Sequence, residues 1–187
     1  MRLGMAVIDP LADIRRAASW LVGLTLREPD RTLEMEMFEF GPDVEINPRR
    51  GGSRLVPRFG IHAQCPWRIV RDGRIEVAYS DYDHPDPDDP SLEPWAFRDA
   101  QMRAFFVSGS PRTVASVEVT VVGDLRVVFS DGSHLELFVD QSRADQECYR
   151  LHDVLADHVV VMGGPTVEVT PKRGASAPSA SHDIAER

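Results

Sequence analysis

From Phe59 to Ile69 every odd position is apolar: Phe59, Ile61, Ala63, Cys65, Trp67 and Ile69. The even positions between them, Gly60, His62, Gln64, Pro66 and Arg68, are mostly polar. A period of two sustained this far predicts a half-buried strand over 59–70, odd face inward. Asp72-Gly73 marks a turn, after which Ile75, Val77 and Tyr79 keep the odd phase. Directly opposed residues share a face, so odd must pair with odd. A three-residue loop, Arg71-Asp72-Gly73, satisfies this by pairing Ile69 with Ile75 and Trp67 with Val77, with Gly73 left-handed. The same device is expected in "LRVVFSDGSHLELFV", where the loop Ser130-Asp131-Gly132 pairs Val127 with Leu135 and Leu125 with Leu137. Upstream, Val117, Val119 and Val121 alternate and Gly123-Asp124 turns the chain, so 115–139 reads as a three-stranded meander.

Helical spacing appears twice. Leu11, Ile14, Ala18 and Leu21 follow Asp9-Pro10, an N-cap and first-turn proline, and predict a helix over about 10–20. Phe97, Met102 and Phe105 predict another near 96–106. "GLTLREPDRTLEMEMFEFG" reads as two strands joined by a Pro-Asp turn. In the second, Leu33, Met35 and Met37 alternate with Glu34 and Glu36, and the phase then slips to Phe38 and Phe40, which predicts a bulge near Met37. Residues 41–57 read as a loop, and "HVVVMGG" as a short strand. The pieces assemble into one α+β domain over 1–170, mainly antiparallel β. It carries hairpins, a meander, an N-terminal helix and one further helix, around a core that includes Ile61, Cys65, Trp67, Val77, Val119, Val127 and Leu137. Residues 171–187 lack periodicity, are rich in Ala, Ser and Pro, and read as a disordered tail.

Four segments, "GLTL…TLEMEMFEFG", "IHAQCPWRI", "GDLRVVFSDGSHLELF" and "ECYRLHD…HVVVMGG", resemble a family of small, β-rich bacterial proteins common in actinobacteria. In that order they cover most of residues 23–164. The resemblance implies a compact, β-rich cytoplasmic domain. It brings no known activity, so it assigns no functional residue.

Composition narrows the function. The chain of 187 residues is 42% hydrophobic and 27% charged, ordinary for a globular protein. Its net charge of −9 argues against nonspecific nucleic-acid binding, which needs cations to displace phosphate counterions. Two cysteines are too few for a disulfide scaffold and suit a reducing, cytoplasmic setting. The N-terminal apolar run ends at Asp9-Pro10, and nothing approaches the ~18 consecutive apolar residues of a membrane span.

Several groups could carry chemistry. His62-x-x-Cys65 and Cys148-x-x-x-His152 offer nitrogen and sulfur pairs to a zinc ion. The strand reading points His62 and Cys65 to opposite faces, so no metal is expected. A cysteine nucleophile needs an electropositive, partly exposed setting, whereas Cys65 lies in the apolar phase. Asp81, Asp83, Asp86, Asp88, Asp89 and Glu93 form an acidic, Pro-rich loop at 81–94. It lacks the Gly and Glu that an EF-hand needs at its sixth and twelfth places. Arg49, Arg50 and Arg54, beside Gly51-Gly52, could hold an anion, although no P-loop pattern surrounds them. His62, Gln64 and Arg68 would form one row on the polar strand face, ~7 Å apart in steps of two residues. No signature of a hydrolase, zinc protease or dinucleotide enzyme appears.

The expected function is therefore a cytoplasmic, non-enzymatic protein-binding module, such as an immunity or inhibitor protein whose acidic surface meets a basic partner. No cofactor, nucleic acid or membrane is expected. The alternative is a small-molecule-binding or hydrolytic protein that uses His62, Gln64 and Arg68.

Overall fold

The structure, a computed structural model, describes residues 11–32, 35–47, 52–83, 89, 91–109, 111–156, 158–164 and 166–170. In chain order they form helix α1 (Ala12–Ser19) and strands β1 (Asp30–Thr32), β2 (Met35–Ile46), β3 (Arg54–Ala63), β4 (Trp67–Arg71) and β5 (Arg74–Ala78). A 3₁₀ turn (Tyr79–Tyr82) and helix α2 (Trp95–Val107) follow. The remaining strands are β6 (Val114–Val119), β7 (Leu125–Phe129), β8 (His134–Leu137), β9 (Glu147–Asp153), β10 (His158–Met162) and β11 (Thr166–Thr170). Two antiparallel sheets result, in the orders β1-β2-β3-β9-β10-β11 and β5-β4-β8-β7-β6. This is the expected α+β, mainly antiparallel fold. Asp9-Pro10 and the tail lie outside the described residues.

The two sheets share one core. Phe38, Phe40, Ile61, Tyr149, Leu151 and Val161 come from the first sheet, and Trp67, Ile69, Val127, Phe129, Leu135 and Leu137 from the second. Phe38 and Trp67 meet edge to face across the gap, ring centroids 5.2 Å apart and planes at 85°. Tyr149 is fully buried and donates its hydroxyl to the Gly123 carbonyl at 2.6 Å, tying β9 to the β6–β7 turn. Helix α1 packs against β6, β9 and β10 and buries Ile14 and Ala18 of the expected stripe, whose other members, Leu11 and Leu21, are buried just beyond its two ends. Helix α2 packs on β5 and buries Arg98, Met102 and Phe105.

The alternating stretch 59–70 is two strands in two sheets rather than one. Ile61, Ala63, Cys65, Trp67 and Ile69 are all buried, as the alternation requires. The chain nevertheless leaves the first sheet after Ala63 and enters the second at Trp67. Pro66 has no N–H for a ladder, and the break falls there. The crossing is pinned to both sheets: Gln64 N–H donates to the Cys148 carbonyl at 2.8 Å, and Phe138 N–H donates to the Pro66 carbonyl at 2.9 Å.

The meander forms as expected, and β7–β8 pairs Val127 with Leu135 and Leu125 with Leu137. The β4–β5 hairpin corrects the proposed register. Its loop is only Asp72-Gly73, both at positive φ (51° and 73°), the two-residue primed turn. A bulge then restores the phase, so Ile69 pairs with Val77 and Val70 with Ile75, which stays 58% exposed. Nothing approaches a Cβ built on Gly73, so a substitution there meets only backbone strain. Gly73→Val is expected to cost about 1–3 kcal/mol, read as a lower urea midpoint with unchanged slope.

Three further expectations change. Residues 41–57 are mostly hairpin, since β2 runs to Ile46 and β3 starts at Arg54. Gly41, at φ 75°, serves the bulge between Phe40 and Asp43 rather than a turn, and no bulge sits at Met37. Residues 23–26 contribute only isolated bridges, Thr25 to Thr113 and Leu26 to Phe40. Strand β9 was not anticipated: it is buried on both sides, so its sequence "ECYRLHD" shows no alternation.

Candidate functional site

The structure does not bring His62, Gln64 and Arg68 together. Gln64 is exposed in the crossing. Arg68 faces outward on the second sheet, stacked 5.0 Å over Phe138, and donates to Glu136 at 2.6 Å. It starts a row of alternating charge straight across four strands, Arg68, Glu136, Arg126 and Glu118, each opposite the next in register. Opposite charges facing across strands stabilise the sheet by tenths of a kcal/mol each, so this row reads as structure.

His62 lies on the other sheet beside two histidines from neighbouring strands. Its ring centroid is 4.3 Å from that of His152, which is 5.4 Å from that of His158. Gly60 makes room: a Cβ there would sit 2.4 Å from His152 Cε1. Burial pushes His62 down to about 4 and His152 down to about 3, and the neighbouring cationic groups push the same way. Both imidazoles are therefore neutral at pH 7. Their contribution to stability is complete above the unfolded-state value near 6.5 and is lost as pH falls from there through the folded values of about 4 and about 3. The urea midpoint is expected to drop over that range, and His62→Gln with His152→Gln should flatten the drop.

Cys65 and Cys148 are buried and free. Burial lifts the Cys65 thiol to about 12, which leaves no thiolate for attack at neutral pH. Among the described residues no three His, Cys, Asp or Glu side chains are arranged to hold a metal ion. Arg54 is exposed at the start of β3, and Arg49 and Arg50 lie outside the described residues. So do Asp86 and Asp88. Asp81 accepts from Ala78 N–H at 2.8 Å, which fastens the 3₁₀ turn, while Asp83, Asp89 and Glu93 are exposed.

A concave polar site was missed by sequence reasoning. Glu36 on β2 and Arg98 on α2 form an ion pair with side chains 5% and 6% exposed. Arg98 also pairs with Asp99 at 2.7 Å and lies 5.6 Å over Trp67. The pair opens into a cavity of about 110 Å³ lined by Arg31, Trp67, Tyr79, Tyr82 and Asp83. Burial raises Glu36 to about 7, and Arg98, pulling the other way, only partly offsets it. A signal was present. Glu36 shares the buried phase of Phe38 and Phe40, and Arg98 shares the stripe of Met102 and Phe105. Two opposite charges in two apolar patterns match each other.

Beside this cavity the acidic segment is closed at its base. Tyr82, where it begins, stacks on Trp95, where it ends, with centroids 6.4 Å apart and planes 28° apart. Arg31 lies 5.1 Å over Tyr82 and 5.7 Å over Trp95, and is steadied by Asp99 at 3.7 Å. Trp95 stays 38% exposed and Leu92 44%.

No helix among the described residues is long and apolar enough to cross a membrane. No family model, curated protein or solved structure matches this chain, so its reading rests on its own residues.

Proposed function

We propose that the protein is a non-enzymatic binding module for a basic protein, of the immunity or inhibitor kind, which docks on the acidic segment 81–93 and the aromatic base beneath it. The observation that carries this reading is the Tyr82–Trp95 stack. It holds the ends of a six-carboxylate segment together and leaves Trp95 half-exposed between them. Rigid aromatic anchors inside a charged rim are how protein interfaces gain affinity and specificity. Burial keeps Cys65 protonated and His62 and His152 neutral, and Arg68 is paired with Glu136.

The test compares wild type with a variant in which Asp83, Asp86, Asp88 and Asp89 become Asn. The probe is a blocked hexa-arginine peptide, followed by stopped-flow tryptophan fluorescence. The variant should capture the peptide more slowly, most clearly at 0.01 M salt, where charges act over ~30 Å rather than the ~8 Å of physiological salt. Its melting temperature should barely move. Unchanged capture at low salt would remove the support for this reading.

A further inference from the structure

We infer that the cavity formed by Glu36, Trp67, Tyr79, Tyr82 and Asp83 is a receptor for a guanidinium group, supplied by an arginine side chain of the basic partner. The inference rests on the docking reading above and names which group of the partner enters the protein.

Position comes first. Asp83 lines the cavity and is also the root of the acidic segment, so a partner drawn to the segment arrives at the opening. Size comes second. The volume is about 110 Å³. An apolar cavity of about 150 Å³ takes up benzene, and a guanidinium is a smaller flat group. The walls are the third argument, since Trp67, Tyr79 and Tyr82 present aromatic surface to a delocalised cation. Guanidinium groups already lie over aromatic rings in the same surroundings, Arg98 over Trp67 and Arg31 over Tyr82 and Trp95.

Charge decides the sign of the ligand. Arg31 and Arg98 also line the cavity, but both are engaged. Arg98 is held by Glu36 and Asp99, and Arg31 by Asp99. The lining itself sets two carboxylates, Glu36 and Asp83, against two guanidiniums, and Asp99 adds a third carboxylate from outside the cavity, where it engages both arginines. An anion would have to take Arg98 from both of its carboxylates. A cation finds a buried carboxyl whose desolvation Arg98 has not fully offset, as the upward push on Glu36 shows.

A pH signature follows. The groups that face Glu36 are Arg98 and Asp99 from α2, Arg31 from β1, and Asp83, Tyr79 and Tyr82 from the 3₁₀ turn and its end. A bound cation favours the ionised carboxyl, so it releases a proton wherever Glu36 is still protonated. Affinity for the cation should therefore rise with pH up to about 7. Below that value it falls by up to about tenfold per pH unit.

The experiment is calorimetric titration of the full chain at pH 6 and pH 8 with three probes: methylguanidinium, blocked hexa-arginine and blocked hexa-lysine. At pH 8 hexa-arginine should bind about tenfold more tightly than hexa-lysine, because flat stacking favours the guanidinium. The preference should shrink at pH 6, and methylguanidinium should compete with hexa-arginine. Glu36→Gln should abolish the preference. Because that change touches a buried pair, Tyr79→Ala serves as the second variant, removing a wall without a charge and lowering methylguanidinium affinity while sparing hexa-lysine. Equal binding of the two peptides at both pH values, lost in the four-Asn variant, overturns the inference and leaves the docking reading standing. Stronger competition by acetate than by methylguanidinium overturns it as well. Binding of methylguanidinium with the stated pH dependence, and of neither peptide, overturns the docking reading and, with it, an arginine side chain as the occupant, while leaving the cavity selective for guanidinium.

Discussion

Arg98→Met is expected to cost about 3–5 kcal/mol of folding free energy, the range found when one partner of a buried ion pair is removed. Glu36 would remain on the core side of β2 with its carboxyl in a low-dielectric setting and its main partner gone. It would answer by holding its proton still more tightly. A group whose folded-state value is raised stabilises the fold fully below its unfolded value, near 4.5, and loses that contribution as pH rises through the folded value. The deficit of Arg98→Met should therefore be small near pH 5 and grow toward pH 8. Combining Arg98→Met with Glu36→Leu should recover most of the loss, because an apolar pair of similar volume often matches or exceeds a buried ion pair. Urea midpoints at both pH values decide the matter. If the double variant is as unstable as the single one, the contribution of Arg98 lies in packing over Trp67 and not in its charge.

Phe38→Ala should cost a similar amount, about 3–5 kcal/mol, for a different reason. Phe38 is fully buried and reaches across the gap between the sheets to meet the edge of Trp67. Truncation removes apolar area, leaves a cavity and forfeits an aromatic contact of about 0.5–1.5 kcal/mol. In a chain of this length each kcal/mol moves the melting temperature by about 2–4 °C, so a fall of roughly 6–20 °C is expected. A cycle with Trp67→Leu isolates the ring–ring contribution. A fall under about 3 °C would mean that the sheets are not held together through this contact.

These two positions also show what the sequence could and could not reveal. Alternation correctly marked the buried side chains from Ile61 to Ile69, while Phe59, where it starts, is only partly buried. Alternation did not mark which sheet they belong to, because both sheets face one core and the phase survives the crossing at Pro66. The row His62, Gln64, Arg68 was an artefact of that silence. The β7–β8 register was legible because Gly132 and two clean alternations left a single solution. The β4–β5 register was not, since a bulge repaired the phase that parity alone assigned to a longer loop. At Glu36 an apolar pattern interrupted by a charge suggested a slipped strand. The strand is regular there, and the explanation is Arg98, brought from a distant helix by tertiary packing. Strand β9 carried no period to read because both of its faces are covered.

The Tyr82–Trp95 stack has a consequence for how this protein can change over generations. A loop whose ends are already clasped has met the main entropic cost of closure, and doubling its length adds only about 0.6 kcal/mol. Residues between the clasped rings can therefore be inserted, deleted or exchanged with little penalty to the fold, which draws its stability from the core beneath. Variation is thus cheap where a partner would be met and expensive in the frame that presents it. Antibody hypervariable loops divide the labour in the same way, with a conserved sheet below and a freely edited tip above.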